Sequence, residues 1–371
     1  MKQTEQGTQQ GVRVAGTSGT TGLILLLVVG GCADPPTRSA LSPDEPGGMS
    51  CIIPEDELLD GGGGSGIFAL IDPELVSAES PSASYVAEDD RVVGILLDGK
   101  PVAVPLNILW WHEIVNLGAN GDAVAVTHCP LTGSSLTFDR SVVDGAAFQV
   151  SGLLFRNNLV LYDEGEGGSF WPQMLRQAAC GADVGRSLPM YPSIEMTWAG
   201  WKDLYPDTRV ISRETGFGRE YERYPFGRYR EWSNSDVLFH MGPLDPRRPP
   251  KEPVLGIPVS DGGWAFPFGD LERHERLVID NNVRGQPVVI LWDRAARGAA
   301  AYFARVDDNR TSFTVSADGF RDDETGSTWR VDGVAESGPM AGTRLDPVPE
   351  AYVAFWFAWA EFQPETVLVR F

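Results

Sequence analysis

The stretch "VTHCPLTGSS", Val126 to Ser135, sets a histidine beside a cysteine at the end of a strand-like run. A thiolate and imidazoles suit copper or zinc, so Cys129 with His128 and the upstream His112 forms one candidate metal set. The same residues allow a second chemistry, with Cys129 as a nucleophile, His112 as its base, and Asn116 or Glu113 orienting the ring. A third reading is structural, with Cys129 buried or joined to Cys51 or Cys180. Neighbours on one strand point to opposite faces, so His128 and Cys129 could share an ion only at a bend, which Pro130 could supply. Downstream, Arg156, Asn157 and Gln173 in "RNNLVLYDEGEGGSFWPQ" are candidates for the polar wall of a cleft that holds a small molecule or cofactor.

The elements around these residues must position them. Alternation about an Asp-Gly pair in "GILLDGKPVAV" predicts a hairpin, and a short helix is expected in "LNILWWHEIVN". A turn through "LGANGD" would fold the next strand, "AVAVTHC", back onto that helix and bring His112 and Cys129 to one site. Strands follow in "SLTFDR", "FQVSG" and "LVLYD"; a second helix in "WAGWKDLY" stops before Pro206.

The pattern then recurs. "VVGILLDGKPVAVPLNILWWHE" (92–113) matches "VLGIPVSDGGWAFPFGDLERHE" (254–275) at 8 of 22 positions without a gap, His112-Glu113 falling on His274-Glu275. "GSFW" answers to "GSTW", a turn with a core tryptophan, and "TWAGWKDLYPDTRVI" to "FWFAWAEFQPETVLV". The expected fold is α+β and strand-dominated, as two tandem copies of one unit packed pseudo-symmetrically, 67–212 and 253–371. Between them, 213–252 is an Arg-, Tyr- and Pro-rich connector that wraps rather than forms a third core. Laying "VTHCP" over "ILWDR" sets His128 and Cys129 against Trp292 and Asp293, so the second copy has no thiol and carries a degenerate site, whereas Arg156 and Gln173 belong to the first copy alone.

Residues 1–32 carry Lys2 and Arg13, the apolar run "LILLLVV" and then "VGGC", which reads as an export signal ending in a bacterial lipobox with Cys32 acylated. The run is too short to span a bilayer as a helix. A Pro-rich tether over 33–66 follows. These features imply an extracytoplasmic protein held by lipid to a bacterial membrane, in the periplasm or at the cell surface. Disulfides persist there, and with Cys32 lipidated the remaining Cys51, Cys129 and Cys180 leave at least one thiol unpaired or otherwise bound. A net charge of −21 argues against nucleic acid or anionic lipid as partners of a basic face.

Five motifs in order, "CIIPEDELLDGG", "LWWHEIVN", "VTHCPLTGSSLTFDR", "VSGLLFRNNLVLYDEGEGGSFWPQ" and "FWFAWAEFQPET", resemble the bacterial family known as domain of unknown function 3179. The resemblance implies an exported or membrane-attached protein and assigns no activity. Members often have Cys-Pro-Leu-Cys where this chain has Cys129-Pro130-Leu131-Thr132, and often tyrosine at the place of His128, so a dithiol is missing here. Together the residues point first to a copper- or zinc-handling envelope lipoprotein with its site in the first copy. A Cys129-dependent hydrolase or transferase and a non-catalytic binding scaffold for a small molecule are the alternatives.

Overall fold

A computed structural model describes residues 50–371 except 63–65, 166–167, 240, 260–261 and 308. The expected signal sequence, Cys32 and most of the tether lie outside the described residues. The segment around Cys51 is not tether: Cys51 forms a disulfide with Cys180, and Leu58–Asp60 pairs with Phe155, Leu154 and Leu153. Its apolar residues explain the difference, since Leu58 is buried beside Val160 and Phe155.

The predicted hairpin is present as β1 (Arg91–Leu97) and β2 (Lys100–Pro105). Asp98 and Gly99 take φ of 50° and 71°, the left-handed pair that a two-residue turn between twisted strands requires. Helix α1 (Leu106–His112) is shorter than expected. Glu113 adopts φ 56° and closes its N–H onto the Leu109 carbonyl at 2.8 Å, so the chain leaves the helix there. The "IVN" that follows opens β3 (Ile114–Ala119), which turns into β4 (Asp122–Cys129) and on to β5 (Ser134–Asp139). A full strand therefore separates the helix from the cysteine strand, where the sequence suggested only a turn.

β6 (Phe148–Phe155), β7 (Asn158–Asp163) and β8 (Ser169–Pro172) form a second sheet with Leu58–Asp60 and Cys180–Gly181 at its edges. The Gly-Ser-x-Trp turn is built as expected. Asp163 accepts from the Ser169 amide and, at 2.7 Å, from the indole of the fully buried Trp171. β9 (Ile194–Thr197) pairs with β1, α2 (Trp198–Leu204) follows, and β10 (Arg209–Ile211) runs parallel to β2.

The second half carries the same order. β11 (Pro253–Val259) and β12 (Gly262–Pro267) pair, α3 (Phe268–Leu271) follows, and β13 (Arg276–Val283), β14 (Gln286–Asp293) and β15 (Gly298–Phe303) form the next meander. β16 (Phe313–Ser316), β17 (Gly319–Asp322) and β18 (Thr328–Trp329) hold the second Gly-Ser-x-Trp turn, with Asp322 accepting from the Ser327 amide and the Trp329 indole. β19 (Tyr352–Phe355), α4 (Trp356–Phe362) and β20 (Val367–Leu368) close the chain, β19 on β11 and β20 parallel to β12.

One packing rule recurs in both halves. A Cβ on Gly94 would sit 2.2 Å from the Trp201 ring, and one on Gly256 would sit 2.1 Å from the Trp359 ring, so each helix tryptophan lies flat on a glycine of the strand beneath. Each indole N–H then reaches a threonine seven residues on, Thr208 at 2.8 Å and Thr366 at 2.9 Å.

The halves are not separate domains. Ser135 of β5 pairs with Val353 of β19, joining strands of both halves into an eight-stranded sheet of the described residues. One apolar core runs from Val92, Ile108 and Trp201 to Leu291, Tyr302 and Trp329. No helix of the described residues is long and apolar enough to cross a membrane.

Candidate functional site

Glu113, at the end of α1, combines a left-handed backbone with burial, the residue being only 9% exposed. Burial alone pushes that carboxyl up to about 8, so near neutral pH it is largely a protonated acid. It faces a cavity of about 300 Å³ whose other walls include Ile67, Leu131, Leu153, Leu159, Phe226 and Phe239. An apolar cavity of this size with one polar group is the usual form of a small-ligand site.

Four parts of the sequence build these walls, Ile67 coming from the segment before β1. Leu131 comes from the turn after β4, Leu153 and Leu159 from β6 and β7, and Phe226 and Phe239 from the connector. The connector has no helix or strand among its described residues. It is held by side chains: the Tyr229 hydroxyl donates to the Leu131 carbonyl at 3.1 Å, and the buried Lys251 ammonium sits 3.2 Å from the centre of the Tyr229 ring. Asn157, expected in the wall of a cleft, instead places that wall. Buried and at φ 63°, it donates to the Phe239 carbonyl and accepts from the Phe239 amide, both at 3.1 Å.

Cys129 stands near Glu113 but does not line the cavity. It is buried and, among the described residues, is the free cysteine, Cys51 and Cys180 being paired. Burial, with the Glu113 charge second, pushes its thiol up to about 11, so little thiolate exists at neutral pH to attack an electrophile or bind a metal. Its Sγ lies 3.7 Å from the Asn157 carbonyl.

His112 is not its base. The His112 Nδ1–H donates to the Phe68 carbonyl at 2.7 Å, which leaves Nε2 to accept from the Tyr221 hydroxyl at 2.8 Å. Both ring nitrogens are occupied, and burial lowers the pKa of the ring, which keeps it neutral. His128 makes a 3.0 Å contact with Ser135 Oγ through Nδ1, and burial pushes it down to about 4. His112, His128 and Cys129 therefore do not assemble as a ligand set: among the described residues no group of three or more His, Cys, Asp or Glu side chains is placed to hold a metal ion. The strand between α1 and β4 and the alternation of side chains along β4 are the physical reasons.

The other two wall candidates are also elsewhere. Arg156 is 41% exposed over the Phe155 ring, 3.7 Å from Glu57 and 3.8 Å from Glu361. Gln173 is fully buried in a closed polar network. Its Oε1 accepts from Ser134 at 2.6 Å and Asn158 at 2.8 Å, and its Nε2 donates to Thr127 at 2.7 Å. Thr132 joins the same network through Ser134 and Asn158. Every member has a partner, so the cluster fixes the core rather than a ligand.

The backbone register pairs the two halves differently from the sequence match. The Glu113 carbonyl accepts from the His128 amide and the Glu275 carbonyl from the Arg294 amide, each at 2.8 Å. By this register His128 answers to Arg294 and Cys129 to Ala295, two places along from the Trp292 and Asp293 suggested by sequence. The Arg294 guanidinium lies 2.7 Å from Glu275, so the second half neutralises the acid that the first half leaves alone.

No curated protein and no solved structure matches the chain. A family model described as protein of unknown function (DUF3179) covers residues 65–366, and the chain belongs to that family.

Proposed function

We propose that this is a lipid-anchored envelope protein, arisen by internal duplication, whose first half binds a small and mainly apolar molecule in the Glu113 cavity. The observation that carries this reading is the Glu113 carboxyl, buried in an apolar wall with burial as the sole cause of its raised pKa. A protonated acid in such a wall donates one hydrogen bond to an acceptor on the ligand, or passes its proton to a ligand amine and pairs with the resulting cation. The matching strand orders and the repeated glycine–tryptophan contacts support duplication. The "VGGC" sequence supports the anchor and the extracytoplasmic address. Metal handling and thiol catalysis draw no support from the positions of His112, His128 and Cys129.

The test is a fluorescence titration of the protein with N-phenyl-1-naphthylamine, an apolar amine that brightens out of water. Saturable binding is expected, lost in Leu153→Trp, which fills the cavity, and weakened in Glu113→Gln. Wild-type protein without saturable binding, or Leu153→Trp protein binding as wild type does, would contradict the proposal.

A further inference from the structure

A second cavity of about 390 Å³ lies where the two halves meet, with Ile194 and Trp201 from the first half and Tyr302, Arg344 and Leu345 from the second among its walls. The halves differ at this point in two side chains: Tyr205, whose ring centre lies 4.5 Å from that of Trp201, answers to Gln363, and the residue opposite the glycine changes. In the second, Tyr352 stands opposite Gly256 in the sheet and its ring covers Trp359, with centroids 5.4 Å apart. In the first, the residue opposite Gly94 is Ile194, which ends well short of where a phenol ring would reach. The space that a phenol ring would fill beside Ile194 is therefore part of the cavity, walled by the packed Trp201 and Tyr205 rings.

Charge selects what fits. The Asp332 carboxylate at the edge of this cavity is already taken, by Arg330 at 2.6 Å and the Tyr205 hydroxyl at 2.7 Å. Arg344 donates only to the Tyr205 oxygen at 3.2 Å and to the Asp332 main-chain oxygen at 3.4 Å, and has no carboxylate within ion-pairing distance among the described residues. An arginine without a counter-ion beside an aromatic cavity, on a chain of net charge −21, is a local exception to the field around it. We infer that this inter-half cavity is a second binding site, for a small molecule with an apolar body against Trp201 and Leu345 and one anionic group on Arg344. It is separate from the Glu113 cavity and does not rest on it, for the two share no wall residue.

The probe is 8-anilinonaphthalene-1-sulfonate, whose fused rings and single sulfonate meet both requirements, titrated into the full chain by fluorescence. Arg344→Gln, a change at an exposed side chain, should weaken binding about tenfold, the equivalent of about 1.4 kcal/mol. Ile194→Tyr, which copies the second half, should abolish it. Leu153→Trp and Glu113→Gln should leave it unchanged. Equal affinity in wild type and Arg344→Gln, or binding lost in Leu153→Trp instead, would overturn the inference.

Discussion

The dipeptide His-Glu ends α1 and recurs three residues beyond α3, and each glutamate carbonyl receives the amide of the matching residue at the end of a following strand. Yet Glu113 is buried in an apolar cavity, while the Glu275 side chain is 86% exposed and paired with Arg294. Two changes make the difference. The arginine is replaced by His128, and a connector held through Tyr229 and Asn157 brings Phe226 and Phe239 over the acid. The same carbonyl contact thus serves a surface ion pair and a cavity acid, and the left-handed turn at Glu113 together with its neighbours decides which one appears.

The covalent tie is the largest asymmetry, because the second half has no cysteine. The Cys51–Cys180 bond closes a separation of 129 residues. Replacing both with serine should cost about 4 kcal/mol of stability, read by urea unfolding under non-reducing conditions. If reduction leaves wild-type stability unchanged, the first half does not depend on this tie.

Next comes the polar network. Gln173→Leu strands Ser134, Thr127 and Asn158 without their partner and should cost about 3 kcal/mol. In the second half the place of Gln173 is held by Val331, in an apolar cluster, and Val331→Ala should cost only about 1 kcal/mol. Similar losses in urea unfolding of the two variants would blur the distinction between a polar and an apolar core.

For Glu113 the sign is opposite. Its folded pKa, about 8, lies above the ordinary 4.5, so the folded state holds the proton more tightly. That contribution to stability is full below the ordinary value and is lost as pH rises through the folded one. Glu113→Gln should therefore be nearly neutral at about pH 4.5 and stabilise by about 2 kcal/mol above about pH 8, at about 1.4 kcal/mol per pKa unit discounted for relaxation. Thermal melts across that range would check it. Glu275→Gln should move stability by less than about 0.5 kcal/mol at any pH, and less still in high salt, as an exposed pair requires.

Much of this architecture was legible in the sequence. The Asp98-Gly99 turn, the buried Trp171 and the helix that ends before Pro206 follow from local turn chemistry, period and breakers, and each is present. The strand-dominated α+β class is present as well. What failed depended on non-local facts. No local signal tells that Glu113 will take a left-handed φ, so the pattern of "LNILWWHEIVN" continues the helix through "IVN" and sets His112 too close to Cys129. Polar residues such as Gln173 read as a cleft wall because a sequence does not reveal that five of them will satisfy one another in the core. The histidine–cysteine pair drew attention to the right turn, but the chemistry there belongs to the acid whose counter-ion is missing.

Titration of the Glu113 carboxyl itself tests this account most directly. Carbon-detected NMR of protein labelled at the glutamate side-chain carbon, with Glu113→Gln assigning the resonance, would follow it across pH. A midpoint near 8 is the predicted result. A Glu113 midpoint near the ordinary 4.5 would contradict the reading of an uncompensated acid in an apolar cavity.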